Sequence, residues 1–190
     1  MIIGITGGTG CGKTTLLSCV RERGGLVLDC DEIYHQLLQT DQQMMTAIAD
    51  RFPGTVEQGR LNRKRLGGIV FSDRDALADL NRITHGAVKR QVQRCLAEHK
   101  GLAAIDAIAL FEGGLAELCD VTVAVSAPQE ARVSRLMARD GISREYALAR
   151  IRAQKGEAFF WERCGYVLDN DGSEEQFREK CQVLLSEILD

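Results

Sequence analysis

Apolar positions along the chain fall into two rhythms. One is the short unbroken run: Ile2-Ile3-Gly4-Ile5 near the start, Leu26-Val27-Leu28, the largely apolar stretch over 102–111, Val121-Thr122-Val123-Ala124-Val125, and Tyr166-Val167-Leu168. Runs of this length without polar alternation suit strands buried on both faces, and β-branched residues favour that setting. The other rhythm repeats every three or four residues. Leu16, Leu17, Cys19 and Val20 follow it over 14–23, before Gly24-Gly25. Met44, Met45, Ile48 and Phe52 follow it over 41–52, before the break at Pro53-Gly54, and Leu77, Leu80, Ile83, Ala87 and Val92 follow it up to about residue 99. Each predicts an amphipathic helix, and a glycine just past the last apolar position is a usual helix end. Ser72, with Asp75 three residues on, reads as the cap of the long helix; Pro128 opens the next one, and Ser143 caps another after Gly141. Ser173-Glu174-Glu175-Gln176 is a capping box before a last helix that packs through Phe177, Cys181, Leu184 and Ile188.

Strands alternating with helices predict an α/β fold, a parallel sheet covered on both faces. The expectation is a three-layer α/β/α core with about five parallel strands, built from about residues 1–31, 102–131 and 163–190. Residues 32–101 read as an inserted helical region that binds substrate, and 132–162 as a helical lid. No repeat, linker or low-complexity tract divides the chain, so a single domain spans 1–190.

The segment after the first strand gives this core a chemistry. Gly7-Gly8-Thr9-Gly10-Cys11-Gly12-Lys13-Thr14 fits the phosphate-loop pattern G-x-x-x-x-G-K-[ST], placed after a strand and before an amphipathic helix. Such a loop turns successive N–H groups into one concavity, and the helix behind it adds its positive end. Residues Gly10, Cys11, Gly12, Lys13, Thr14 and Thr15 are therefore the expected cradle for nucleotide phosphates, with Lys13 countering charge and the Thr14 hydroxyl placed for Mg²⁺. The fold class narrows to the P-loop NTPase type.

Composition excludes more than it assigns. A net charge of −3 argues against a general nucleic-acid or membrane-surface binder, and 45% apolar with 27% charged residues is ordinary for a globular chain. The seven cysteines are scattered, odd in number and without a C-x-x-C pair, which points to reduced thiols rather than a disulfide frame or zinc site. With no leader-like start and no membrane-length apolar run, a cytoplasmic location is expected, as a monomer or weak homo-oligomer.

Several other residues invite a role. Asp29 and Asp31 close the second strand, and ligands of open parallel sheets sit beyond strand carboxyl ends. Asp31 suits deprotonation of an attacking hydroxyl if strand two lies near strand one; capping the next helix is the other reading of either carboxylate. Arg60, Arg63, Lys64 and Arg65 form a basic cluster for substrate phosphates, or else a solvated face. Asn81 and His85 share a helix face. Between 132 and 152 every cation is arginine, with Arg132, Arg135 and Arg139 on one face, which suits a lid over phosphates or a charged surface paired with acids. Phe159-Phe160-Trp161 reads as core packing or a hinge anchor at the lid's return.

Taken together these motifs resemble the dephospho-coenzyme A kinase family over nearly the whole chain. Residues 6–15 match its phosphate loop, with Cys11 where Ser is usual. Asp29-Cys30-Asp31 matches its D-A-D, whose catalytic carboxylate falls on Asp31, and 59–66 matches G-x-L-x-R-x-x-L loosely. Leu80 to His85 match L-N-x-I-x-H, but Gly86 stands where Pro is usual. Leu110-Phe111-Glu112 matches L-F-E, with Ile108 and Ala109 replacing the preceding Pro-Leu. Arg135 and Arg139-Asp140-Gly141 match the lid signature, Arg150 to Gln154 match R-I-x-x-Q, and Val167 to Gly172 match V-I-D-N-x-G. The resemblance implies ATP- and Mg²⁺-dependent phosphorylation of the 3′-hydroxyl of dephospho-coenzyme A. It implies catalytic roles for Lys13, Asp31 and Arg139, nucleotide contacts from Arg135 and Asn170, Mg²⁺ at Thr14, and acceptor contacts from Asp31, Arg63, His85, Phe111 and Glu112. Another small P-loop kinase, acting on a nucleoside or other metabolite, and a non-catalytic ATP-binding regulator remain as alternatives.

Overall fold

The structure is a computed structural model, and it describes residues 1–189. It opens on β1 (Ile2–Thr6), the phosphate-loop segment and α1 (Lys13–Glu22), then β2 (Leu26–Asp29), α2 (Cys30–Thr40) and α3 (Gln42–Arg51). A two-residue hairpin, β3 (Val56–Glu57) and β4 (Arg60–Leu61), leads to α4 (Arg63–Val70) and the long α5 (Arg74–Glu98). Then come β5 (Ala103–Asp106), β6 (Val121–Ser126), α6 (Gln129–Asp140), α7 (Arg144–Arg152), α8 (Glu157–Trp161), β7 (Tyr166–Asp169) and α9 (Glu174–Leu189). Among the described residues no helix is long and apolar enough to cross a membrane.

The sheet has five parallel strands in the order β2-β5-β1-β6-β7. The strand that separates β1 from β2 is therefore β5. Register sets Asp106 beside Ile5 on one side and Asp29 on the other, so the strand-end carboxylates lie on one edge of the sheet. Alternation along β1 sorts the core. Ile3 and Ile5 are fully buried against Leu16, Val20, Phe177 and Leu185 of α1 and α9. Gly4 faces the other way, where Leu110 and Cys119 crowd so closely that a Cβ would lie 2.8 Å from the Cys119 sulfur. That second face carries the apolar cluster joining Leu28 and Ile105 to Ile33, Met44, Ile48, Phe52 and Val92 of the helical region. A third cluster, Val133, Leu136, Ala147 and Ile151, belongs to α6 and α7 alone.

Local expectations hold where the signal is local and fail where a neighbour competes. The capping box before α9 is reciprocal: Ser173 N–H donates to Gln176 Oε1 at 2.9 Å, and Gln176 N–H to Ser173 Oγ at 3.2 Å. The cap of α5 is Asp73, which accepts from the N–H groups of Asp75 and Ala76, rather than Ser72. The Ser72 hydroxyl is turned back to the carbonyls of Gly68 and Ile69 at the end of α4. Residues 32–101 are not helical throughout, since the Gln58-Gly59 turn of the hairpin interrupts them. The third strand expected over 102–111 stops at Asp106, and 108–114 is turn. Of the aromatic triplet only Phe160 is buried; Trp161 is 46% exposed, so it is not core.

Candidate active site

The phosphate loop is shaped by its glycines and held from behind. Gly12 has φ 97°, and a Cβ on it would lie 2.2 Å from Asn170 Nδ2, so only glycine fits. Asn170, 5% exposed, donates from Nδ2 to the Cys11 carbonyl at 2.9 Å and accepts from Arg135 Nη2 at 3.1 Å. Arg135 Nη1 reaches the Gly10 carbonyl at 3.2 Å. Asn170 thus braces the loop from behind and does not line the cleft in front of it, whereas Arg135 does both. Cys11 is 1% exposed and burial pushes its thiol up, so this residue offers a ligand only its backbone. Thr15 gives its N–H to the Gly12 carbonyl, and Lys13 Nζ lies 3.0 Å from the Gly7 carbonyl.

In front of the loop opens a cleft of about 680 Å³ whose wall includes Lys13, Thr14, Asp31, Asp106, Arg135 and Arg139. A second cavity of about 260 Å³ takes Tyr34, Asn81, His85, Val88 and Leu115 from the helical region and the turn after β5. Asp31, Ala107 and Ile108 line both.

The paired carboxylates have divided their tasks. Asp29 Oδ1 caps α2, accepting from Asp31 N–H at 2.9 Å and Glu32 N–H at 3.1 Å. Asp31 sits in the first turn with its carboxylate exposed and, among the described residues, free of hydrogen bonds. Capping is thus assigned to Asp29, and Asp31 faces both cavities unengaged.

Asp106 joins the site although the strand-end pattern at Asp29 and Asp31 did not point to it. Its Oδ1 is buried without a partner, and burial raises its carboxyl to about 6, opposed by Lys13 and aided by Asp29 and Asp31. The signal was available: Asp106 ends an apolar strand just as Asp29 does. Mg²⁺ asks for hard oxygen ligands, usually few from protein and the rest from phosphates and water. An orphaned buried carboxylate oxygen in the same cleft as the Thr14 hydroxyl fits that demand.

The arginines of α6 and α7 do not act alike. Arg139 is fixed by a two-pronged pair with Asp140, at 2.7 and 3.0 Å, and Arg150 Nη1 reaches the same carboxylate at 2.5 Å. These contacts hold the Asp140 carboxyl down at about 2. Arg139 and Arg150 both line the cleft, although only the first was expected there. Arg132 is buried behind the loop, where its Nε donates to the Thr9 carbonyl. Of the residues expected to contact an acceptor, His85 lines the smaller cavity. Arg63 is exposed in the first turn of α4, where its charge partly offsets the rise that burial gives the Tyr34 hydroxyl. Phe111 and Glu112 line neither cavity: Phe111 packs edge-on to Phe159, and Glu112 is exposed.

Comparison with known proteins gives one consistent answer. The family model described as dephospho-CoA kinase matches residues 1–176. A Carboxydothermus hydrogenoformans protein named dephospho-CoA kinase is 36% identical over 190 residues, covering 97% of this chain and 92% of its own. Among solved structures, TT1252 from Thermus thermophilus superposes with a TM-score of 0.81 at 37% identity, covering 98% of this chain and 97% of that one. Dephospho-CoA kinase from Campylobacter jejuni does so with a TM-score of 0.66 at 25% identity, covering 98% and 96%.

Proposed function

The chain belongs to the dephospho-CoA kinase family, a family of ATP-dependent kinases, and from that premise we propose how its residues carry the γ-phosphoryl group of ATP to the 3′-hydroxyl of dephospho-coenzyme A. One observation carries the reading: the Asp31 carboxylate is unengaged and lies on the wall shared by the cleft before the phosphate loop and the smaller, more apolar cavity. A group placed there can meet an acceptor hydroxyl entering from one side and a phosphoryl group held on the other.

The roles follow from chemistry and position. The backbone of Gly10 to Thr15 cradles the phosphates, and Lys13 leaves its Gly7 carbonyl to counter their charge. Thr14 and Asp106 would hold Mg²⁺, which when bound supplies positive charge against the phosphate oxygens. Asp31 orients the acceptor hydroxyl and takes its proton. Arg139 lends charge to the transferring group from the lid side, and Arg135 keeps the loop in shape while facing the same cleft. His85 and Tyr34 line the acceptor cavity, and Arg63 stands outside it as a partner for the acceptor's own phosphates. Phe111 and Glu112 play no direct part in this reading. The seven free thiols suit a reducing compartment, so we place the enzyme in the cytoplasm, acting as a monomer or weak homo-oligomer on a small-molecule substrate.

A panel of acceptors tests the assignment. With ATP and Mg²⁺, dephospho-coenzyme A is expected to stimulate ADP release far more than adenosine, other nucleosides or shikimate. Stimulation by a nucleoside alone would overturn the acceptor assignment while leaving the kinase reading in place.

A further inference from the structure

The geometry points to Gln154 as a nucleotide-contacting residue, its carboxamide donor aimed at the phosphates by the phosphate loop itself; this rests on the ATP-dependent reading of the cleft. Gln154 lies in the turn between α7 and α8, on the lid's return to the core. Its Oε1 accepts the Thr9 N–H at 2.8 Å across 145 residues of sequence. A backbone N–H can pair only with an acceptor, so this contact fixes which end of the amide is oxygen. Nε2, with two hydrogens, is the end left over. Among the described residues it makes no hydrogen bond, and Gln154 lines the cleft.

Thr9 is gripped on its other side as well. Arg132, 6% exposed, donates from Nε to the Thr9 carbonyl at 3.0 Å, and its Nη1 lies 3.7 Å from the Glu157 carboxylate. Both flanking peptide groups of Thr9 are therefore fastened to elements at the two ends of the lid. The approach depends on residue 8 being glycine: a Cβ there would lie 2.2 Å from Arg132 Nη2 and 3.2 Å from Gln154 Oε1. With Lys13, Arg135, Arg139 and Arg150 already lining the cleft, more charge is not what the site lacks. A neutral amide held by its oxygen, with its nitrogen left free, adds direction instead.

Two substitutions separate contact from bracing. Gln154→Glu keeps an oxygen for the Thr9 N–H but replaces the donor with a negative charge; Gln154→Ala removes both. ATP titration, steady-state kinetics and thermal midpoints would be compared for the full-length wild-type and variant proteins. The expectation for Gln154→Glu is a wild-type-like midpoint with ATP affinity about ten- to a hundredfold weaker, the range of a lost hydrogen bond to a charged group. Its deficit should exceed that of Gln154→Ala and shrink as salt screens the repulsion. Wild-type ATP affinity in Gln154→Glu overturns the inference, whether or not Gln154→Ala is impaired, because only bracing then remains. A wild-type protein that neither binds ATP nor transfers phosphate would instead overturn the reading of the cleft, and this inference with it.

Discussion

Asp106 shows how one side chain can be placed against its own preference. Water would hold this carboxyl near 3.8, whereas burial at the end of β5 raises it to about 6. Between those values the folded chain keeps a proton that the unfolded chain has released, so stability falls as pH rises through that window. Asp106→Asn is neutral at every pH. It should remove that slope and stabilise the free protein at pH 7–8 by about 1–3 kcal/mol, while turnover falls because the proposed Mg²⁺ partner is gone. Urea denaturation of both proteins across pH 4–8 checks this, and identical pH slopes would contradict it. The same residue marks the limit of reading a site from sequence. That Lys13, Thr14 and Asp31 would line one cleft was legible because a contiguous pattern or a strand end names them. Gln154 and Arg132 stood in a motif and on a helix face, but what they hold was not legible, because their partner is the backbone of Thr9, more than a hundred residues away. Cys11 and Thr15 were legible as members of the loop, but burial leaves Cys11 only its carbonyl and N–H.

Among the elements, α5 carries the departure most open to test. Gly86 lies inside this 25-residue helix, where a β-carbon would meet only Arg90 Nη1, at 3.6 Å. Glycine in a helix interior costs about 0.5–1 kcal/mol relative to alanine, so Gly86→Ala should raise the thermal midpoint by about 1–4 °C for a chain of this length. An unchanged or lower midpoint in a melting experiment would mean that the helix needs its glycine. Caps show where element boundaries escape the sequence. Ser72 and Asp73 are adjacent acceptors, and the hydroxyl was captured by the preceding turn, leaving the carboxylate for the N–H groups of α5. The capping box of α9 has no such rival and reads correctly from four letters. β3 and β4 are two residues each, too short to carry a period, so the hairpin was absorbed into a helical reading.

For the molecule as a whole, strand order decides what the parts can do together. The apolar runs gave the strands and their parallel sense, but which strand neighbours which is set by crossovers that no local pattern records. Placing β5 between β1 and β2 puts Asp106 in the middle of the site and moves Asp31 one strand away from the phosphate loop. The gap between them is the cleft, and the helices inserted after β2 close the second cavity against its far wall. Helices α6 and α7 have a small core of their own, and Arg132 and Gln154 tie the segment they open and close to the phosphate loop through Thr9. The proposed phosphoryl transfer depends above all on the Asp31 carboxylate where the two cavities meet. Its most direct test is the rate of ADP release with dephospho-coenzyme A for wild type and Asp31→Asn, with ATP affinity measured on both. Turnover of Asp31→Asn is expected to be about a hundredfold or more lower, with ATP affinity changed by no more than about twofold; wild-type turnover in Asp31→Asn would contradict the role given to this carboxylate.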